Sequence, residues 1–186
     1  MTSRFRFAFL AFSLLLLAGC GPPWRVIRAS GPPSALASAS VVGVSFDWSR
    51  ALVGGVPEQQ YLAGLPPDEQ ANYVEVHTAI EATYLLELQR QAPGVQVVAS
   101  TGAEPIQLVV MPGFLELGYY RVLVARDSRL DMHLVFAMGG VAVDEIEIRA
   151  TRGADLRNPT VLNRMSDCAA RNAQLTAQFI RRARES

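Results

Sequence analysis

Two alternating runs on either side of Gly139-Gly140 constrain the fold of this chain more than any other feature. From Leu130 to Ala137, Leu130, Met132, Leu134 and Phe136 point one way, and Asp131 and His133 the other. From Val141 to Ala150 the pattern returns, with Ile146, Ile148 and Ala150 on one side and Glu145, Glu147 and Arg149 on the other. A period of two is the signature of a strand, and paired glycines supply a tight hairpin turn. One apolar and one charged face make an antiparallel sheet with one wet side. The apolar side must be covered by another part of the chain.

Two segments have the helical pattern to provide that cover. Asp68 to Arg90 follows the prolines Pro66-Pro67 and carries Asp68 and Glu69 in its first turn, where acids suit the helix dipole. Tyr73, Val76, Ile80, Tyr84 and Leu88, with Leu85 beside them, form one apolar stripe. The second segment starts at Asn158-Pro159, read as cap and first helical residue, and runs to about Arg184. Leu162, Met165, Ala169, Leu175, Phe179 and Ala183 mark its buried side, and Arg181, Arg182 and Arg184 close its last turn.

Three more β-rich runs complete the sheet: Val41–Phe46, Val95–Ala99 and Ile106–Leu117. Pro112-Gly113 inside the last of these points to an edge strand or a bulge. Tyr119–Ala125 reads as its continuation or as a separate strand, and Asp127-Ser128 as a turn. Asp47 to Pro67 is a long connection with one helical turn expected over Glu58–Ala63. The expected fold is α+β: a mixed, largely antiparallel sheet with two helices packed on one face, in the order β-α-β-β-β-β-α.

The first twenty residues do not belong to that domain. Arg4 and Arg6 precede an apolar run from Phe7 to Leu17, broken only by Ser13, and Leu17-Ala18-Gly19-Cys20 ends it. This resembles the bacterial lipoprotein signal. The resemblance implies cleavage before Cys20 and lipid on its sulfur and new amino group, and Gly21 in place of Asp implies sorting to the outer membrane, facing the periplasm. Residues 21–40 are rich in Pro, Gly, Ser and Ala and read as a flexible tether, interrupted by Trp24–Ile27, which is expected on the membrane surface or against the domain. The division is thus 1–19 signal peptide, 20–40 lipidated cysteine and tether, 41–186 one globular domain.

Composition removes several chemistries. All 17 basic residues are Arg, so no phosphate-loop lysine, Schiff base or Ser-x-x-Lys pair exists. Basic and acidic residues balance at 17 each, without the basic excess a nucleic-acid partner would want. His77 stands four residues before Glu81 on a helix and His133 two residues from Asp131 on a strand, and both read as surface contacts rather than metal ligands. Asp144, Glu145 and Glu147 read as a solvated face. Cys168 borders the last helix's apolar stripe and is expected as a small core residue, with an intermolecular disulfide as the alternative. No catalytic residue, cofactor or metal is expected.

The segment of interest is Phe46-Asp47-Trp48-Ser49-Arg50, at the end of a strand and the start of the long loop. Phe46, Trp48 and Arg50 are candidate partner-binding residues there, and the plainer reading has Trp48 capping the core. Taken together, Cys20, the run Val41–Phe46, the helix Asp68–Arg90, the meander Ile106–Ala150 and the helix Pro159–Arg184 resemble small envelope lipoproteins with a TolB-N-terminal-like or anticodon-binding-like α/β domain, similar to the curli-secretion accessory family. That resemblance implies a non-catalytic binding or assembly accessory of an envelope machine, anchored to the membrane and meeting a protein partner, with oligomeric state open. The alternative is a carrier of lipid or lipopolysaccharide, with an apolar pocket lined by Met111, Phe114, Met132 and Phe136.

Overall fold

The computed structural model describes residues 22–185 apart from 93, 122 and 123. The expected signal peptide and Cys20 lie outside the described residues. The elements run β1 (Trp24–Arg28), a 3-10 turn (Ala35–Ser38), β2 (Val41–Phe46), β3 (Leu52–Val53), β4 (Val56–Pro57), α1 (Glu58–Ala63), α2 (Pro67–Gln91), β5 (Gln96–Ala99), β6 (Ile106–Glu116), β7 (Tyr119–Arg121), β8 (Val124–Arg126), β9 (Ser128–Met138), β10 (Val141–Arg152) and α3 (Val161–Glu185). The fold is α+β, with two long helices on a mixed, mostly antiparallel sheet, as expected.

The main sheet has the order β1-β10-β9-β6-β2-β5. β2 lies parallel to both β5 and β6, and β3 continues alongside β6 where β2 has ended. The β9–β10 hairpin turns through Gly139 and Gly140, both at positive φ (57° and 81°), a conformation that favours glycine. The residues assigned to the core face, from Leu130 to Phe136 and from Ile146 to Ala150, are buried there. β7 and β8 form a separate two-stranded ribbon, so Tyr119–Ala125 does not continue β6.

β6 is a central strand, which corrects one of the two readings of Pro112; the bulge was right. The ladder slips between Pro112 and Phe114. Asp47 N–H donates to Val110 O at 2.9 Å, so the peptide groups of Val110 and Pro112 face the β2–β3 side. β2 pairs up to Phe46 opposite Val110, and β3 begins with Leu52 opposite Phe114. Pro112 falls in the gap, where its missing N–H costs no ladder bond.

α2 and α3 pack against each other and on the same side of the sheet. α2 buries Tyr73, Val76, Ile80, Tyr84 and Leu88, and also Glu87. Glu87 stays charged because Gln174 on α3, with Arg90 and Gln91, donates to it. α3 begins at Val161 rather than at Pro159, and Thr160 Oγ1 accepts from the Asn163 N–H at 3.2 Å. Thr160 therefore takes the capping role expected of Asn158, whose side chain instead donates to Asp167. Ser128, expected in a turn, is the buried first residue of β9.

The expected tether is corrected over residues 28–38, and Trp24–Ile27 takes the second of its two expected places, against the domain. Trp24–Arg28 is the edge strand of the sheet, and Trp24 meets Phe179 of α3 edge-on at 5.8 Å. Leu36 in the 3-10 turn is fully buried. Asp144, expected on a solvated face, is buried and holds this segment: it accepts from Ser30 N–H at 2.8 Å and from Ser34 Oγ at 2.8 Å. A Pro/Gly/Ser/Ala composition predicts low intrinsic order. Here a buried carboxylate and one leucine supply the missing cohesion.

Candidate functional site

With both long helices on one side, the other face of the sheet is left to its own side chains. Strand register arranges them in three rows. Ser45, Val109, Val135 and Glu145 share the first, ending at Arg28. Met111, His133, Glu147 and Arg25 form the second. Phe114, Asp131 and Arg149 form the third. Each row ends charged toward β1, away from the sheet centre. None of the central apolar side chains is fully buried.

Four arginines on this face are all held in ion pairs with three carboxylates. Arg149 donates to Asp131 through Nε and Nη2 at 2.9 and 3.0 Å, a bidentate pair. Arg129 grips the same carboxylate and lies over the Phe114 ring, 4.9 Å from its centre. Burial alone would raise the Asp131 carboxyl, but the hydrogen bonds from Arg129 and Arg149 outweigh it and hold it below the usual carboxylate range. Arg25 Nε donates to Glu147 at 3.0 Å and Arg28 Nε lies 2.9 Å from Glu145. His133 Nε2 is 3.5 Å from the other Glu145 oxygen. Between β1 and the third row runs a groove of about 530 Å³, bordered by Pro23, Arg25, Phe114, Asp131, His133 and Arg149. No group of three or more metal-ligating side chains occurs among the described residues.

The segment singled out from the sequence is built differently. Phe46 is half-buried and meets Tyr84 edge-on at 5.7 Å. Trp48 lies on the His77 ring at 3.7 Å and donates its indole N–H to Glu81 at 2.7 Å. His77 is 3.8 Å from Glu81 and 4.0 Å from Glu58, and Glu58 accepts from the Tyr73 hydroxyl at 2.7 Å. Burial of Tyr73 and the Glu58 carboxylate beside it push that phenol's pKa well up. Arg50 alone of the three points outward, as an exposed residue. Phe46 and Trp48 thus serve the domain's own packing, and the plainer reading of Trp48 describes its place. His77 and Glu81 make the helix-surface contact expected of them.

Cys168 is buried, as expected, and burial pushes its thiol up to about 12. The four residues named for a carrier pocket fall on both sides of the sheet: Met132 and Phe136 are in the core, Met111 and Phe114 on the open face. Sequence reasoning missed Arg25, Arg129 and the buried Arg164. For Arg25 and Arg129 the signal was available, since both lie near acids once the bulges are placed.

No protein-family model matches the chain, and no curated protein matches it. Among solved structures it is similar to a PelC dodecamer from Paraburkholderia phytofirmans, with 13% identity and a TM-score of 0.45 over 81% of this chain and 96% of that one. It is similar also to an uncharacterized protein, with 13% identity and a TM-score of 0.45 over 84% of this chain and 95% of that one.

Proposed function

We propose that this chain is a lipid-anchored, non-catalytic binding protein of the bacterial envelope, held to the outer membrane through Cys20 and presenting the open face of its sheet to a protein partner in the periplasm. One observation carries the binding half of this reading: Val109, Met111, Phe114 and Val135 form an apolar centre that no helix among the described residues covers, rimmed by ion pairs that already satisfy one another. Such a surface can be desolvated by a partner without stranding a charge. No helix among the described residues is long and apolar enough to cross a membrane; in this reading the lipid on Cys20 makes the attachment.

Site-specific photo-crosslinking in living cells tests it. A crosslinker at Met111 or Val135 should capture one discrete protein species, and a crosslinker at exposed Leu86 on α2 should not. Capture from Leu86 alone, or from neither face, refutes the assigned surface. Incorporation of labelled palmitate, lost on Cys20→Ser, tests the anchor separately.

A further inference from the structure

We infer that strand β1, with the C-terminal end of α3 beside it, is a bilayer-docking edge: it rests in the headgroup layer of an anionic membrane and fixes how the domain stands on its anchor. This rests on lipidation of Cys20 and goes beyond it. A lipid anchor alone leaves the domain's orientation free.

The first argument is length. A flexible tether of about 20 residues would let the domain wander roughly 25 Å from the membrane. The folded domain instead starts at Trp24, the first residue of β1. Four residues of chain span at most about 14 Å, even fully extended. An acyl-bearing Cys20 sits at the headgroup level, so the start of β1 cannot leave the bilayer surface.

The second argument is what that edge displays. Pairing with β10 slips between Val26 and Arg28, opposite Ile146 and Glu145, so Ile27 is the extra residue of a bulge. The slip breaks the in-out alternation, and both aliphatics emerge: Val26 is 48% and Ile27 45% exposed. Beside them, Pro22, Trp24, Val26 and Phe179 line a largely apolar cleft of about 320 Å³ between β1 and the end of α3, with Arg182 at its wall. Arg25 and Arg28 also stand on this strand; they are paired with Glu147 and Glu145, but their side chains stay well exposed, so each guanidinium can share its remaining donors with a phosphate. Apolar side chains, one half-buried tryptophan and nearby arginines form the composition of an interfacial surface, in which the rings and aliphatics enter the headgroup boundary and the cations meet lipid phosphates. The two arguments converge on one place: the exposed apolar edge is the edge nearest the lipid.

The test uses the full lipidated chain reconstituted into vesicles of phosphatidylethanolamine and phosphatidylglycerol. An environment-sensitive fluorophore is placed at Val26→Cys, and in a second sample at Leu86→Cys, an exposed site on α2. The buried Cys168 thiol does not compete for label. Lipid carrying a headgroup-depth nitroxide should quench the probe at position 26 at least about two-fold more than the probe at 86. Ile27→Asp in the Val26→Cys background should reduce that contrast, and so should replacing phosphatidylglycerol by phosphatidylcholine. Mass spectrometry of the N-terminal peptide from the same preparation separates the two kinds of failure. Equal quenching at both sites with lipid present on Cys20 overturns the docking edge and leaves the anchor standing. Absence of lipid on Cys20 overturns both.

Discussion

Arg164 Nε donates to Ser128 Oγ at 2.9 Å, and both residues are fully buried. Among the described residues the guanidinium has no carboxylate hydrogen-bond partner. Its remaining donors reach the carbonyls of Pro159 at 2.6 Å, Asn158 at 3.1 Å and Leu117 at 3.3 Å. Ser128 in turn donates to Leu117 O at 2.6 Å. One cation therefore ties the start of α3, the end of β6 and the start of β9 together. Burial pulls the Arg164 pKa down, though Asp127 nearby counters part of this.

Replacing Arg164 by Met should cost about 3 kcal/mol, because it strands several buried oxygens without donors. Arg164→Lys should cost nearly as much, since one ammonium cannot copy a planar fork that serves four acceptors in different directions. Urea unfolding midpoints read both. A loss below that of an ordinary surface substitution would show that water replaces the guanidinium.

The Tyr84 and Thr176 hydroxyls lie 2.8 Å apart in the contact between α2 and α3. Thr176 also lies 2.9 Å from Asn172 O, to which it gives its one proton, so Tyr84 must be the donor of the pair. Removing the acceptor is then worse than removing the donor. Thr176→Val should cost about 2 kcal/mol and Tyr84→Phe about 1 kcal/mol, with the double variant less destabilised than Thr176→Val alone because the stranded hydroxyl is gone. Denaturation of the four proteins in a double-mutant cycle gives the comparison, and the reverse ranking would exclude this donor assignment.

Much of the layered architecture was legible because it rests on periodicity. Leu130 to Phe136 and Ile146 to Ala150 face the helices as their alternation demands. The register was harder. A two-residue turn at Gly139-Gly140 pairs Met138 with Val141, and carried onward without a slip it would set Ile146 against His133. The polarity pattern forbids that, so a bulge was implied between the turn and Ile146, and it occurs between Ala142 and Asp144. Placing it correctly brings Arg149 opposite Asp131 and so uncovers the ion pairs of the open face. Two features were not legible. Beyond Trp24–Ile27, local composition gives no hint that residues 28–38 pack on the domain, because the cohesion comes from Asp144, more than a hundred residues away in sequence. Arg164 reads as an ordinary polar helix residue until the ends of three elements are seen to meet around it.

Cys168 ties stability to alkaline pH. Its folded thiol is raised by burial to about 12 from an ordinary value of 9.0. A group raised in the folded state contributes stability that is complete below its unfolded pKa and is lost as pH climbs through the folded one. Stability should therefore fall between pH 9.0 and about 12, and Cys168→Ala should flatten that part of the pH profile. In the native protein near neutral pH, maleimide should leave Cys168 unmodified, and it should label the thiol once denaturant is added. Rapid labelling under native conditions would contradict the burial on which the pH argument depends.

The Trp48 cluster makes a local prediction that global unfolding cannot imitate. Trp48 stacks on His77 and donates to Glu81, and His77 in turn approaches Glu58 at the start of α1. These contacts hold the loop that follows β2 down on α2. Two residues after Trp48 in the chain, Arg50 is exposed and offers trypsin a cleavage point. Trp48→Ala removes both the ring contact and the hydrogen bond, and should weaken the hold by about 2 kcal/mol. Cleavage after Arg50 that proceeds through local opening should then accelerate more than ten-fold, since about 1.4 kcal/mol is worth a factor of ten. Trp48→Phe keeps the ring over His77 and loses only the bond to Glu81, so its rate should fall between those of the parent and Trp48→Ala. Glu81→Gln retains an acceptor for the indole and should stay close to the parent. The far side of the sheet does not take part, so a crosslinker at Met111 should capture the same species in all four proteins. An unchanged cleavage rate in Trp48→Ala would mean that other contacts hold this loop, and Trp48 would return to being a candidate for binding rather than packing.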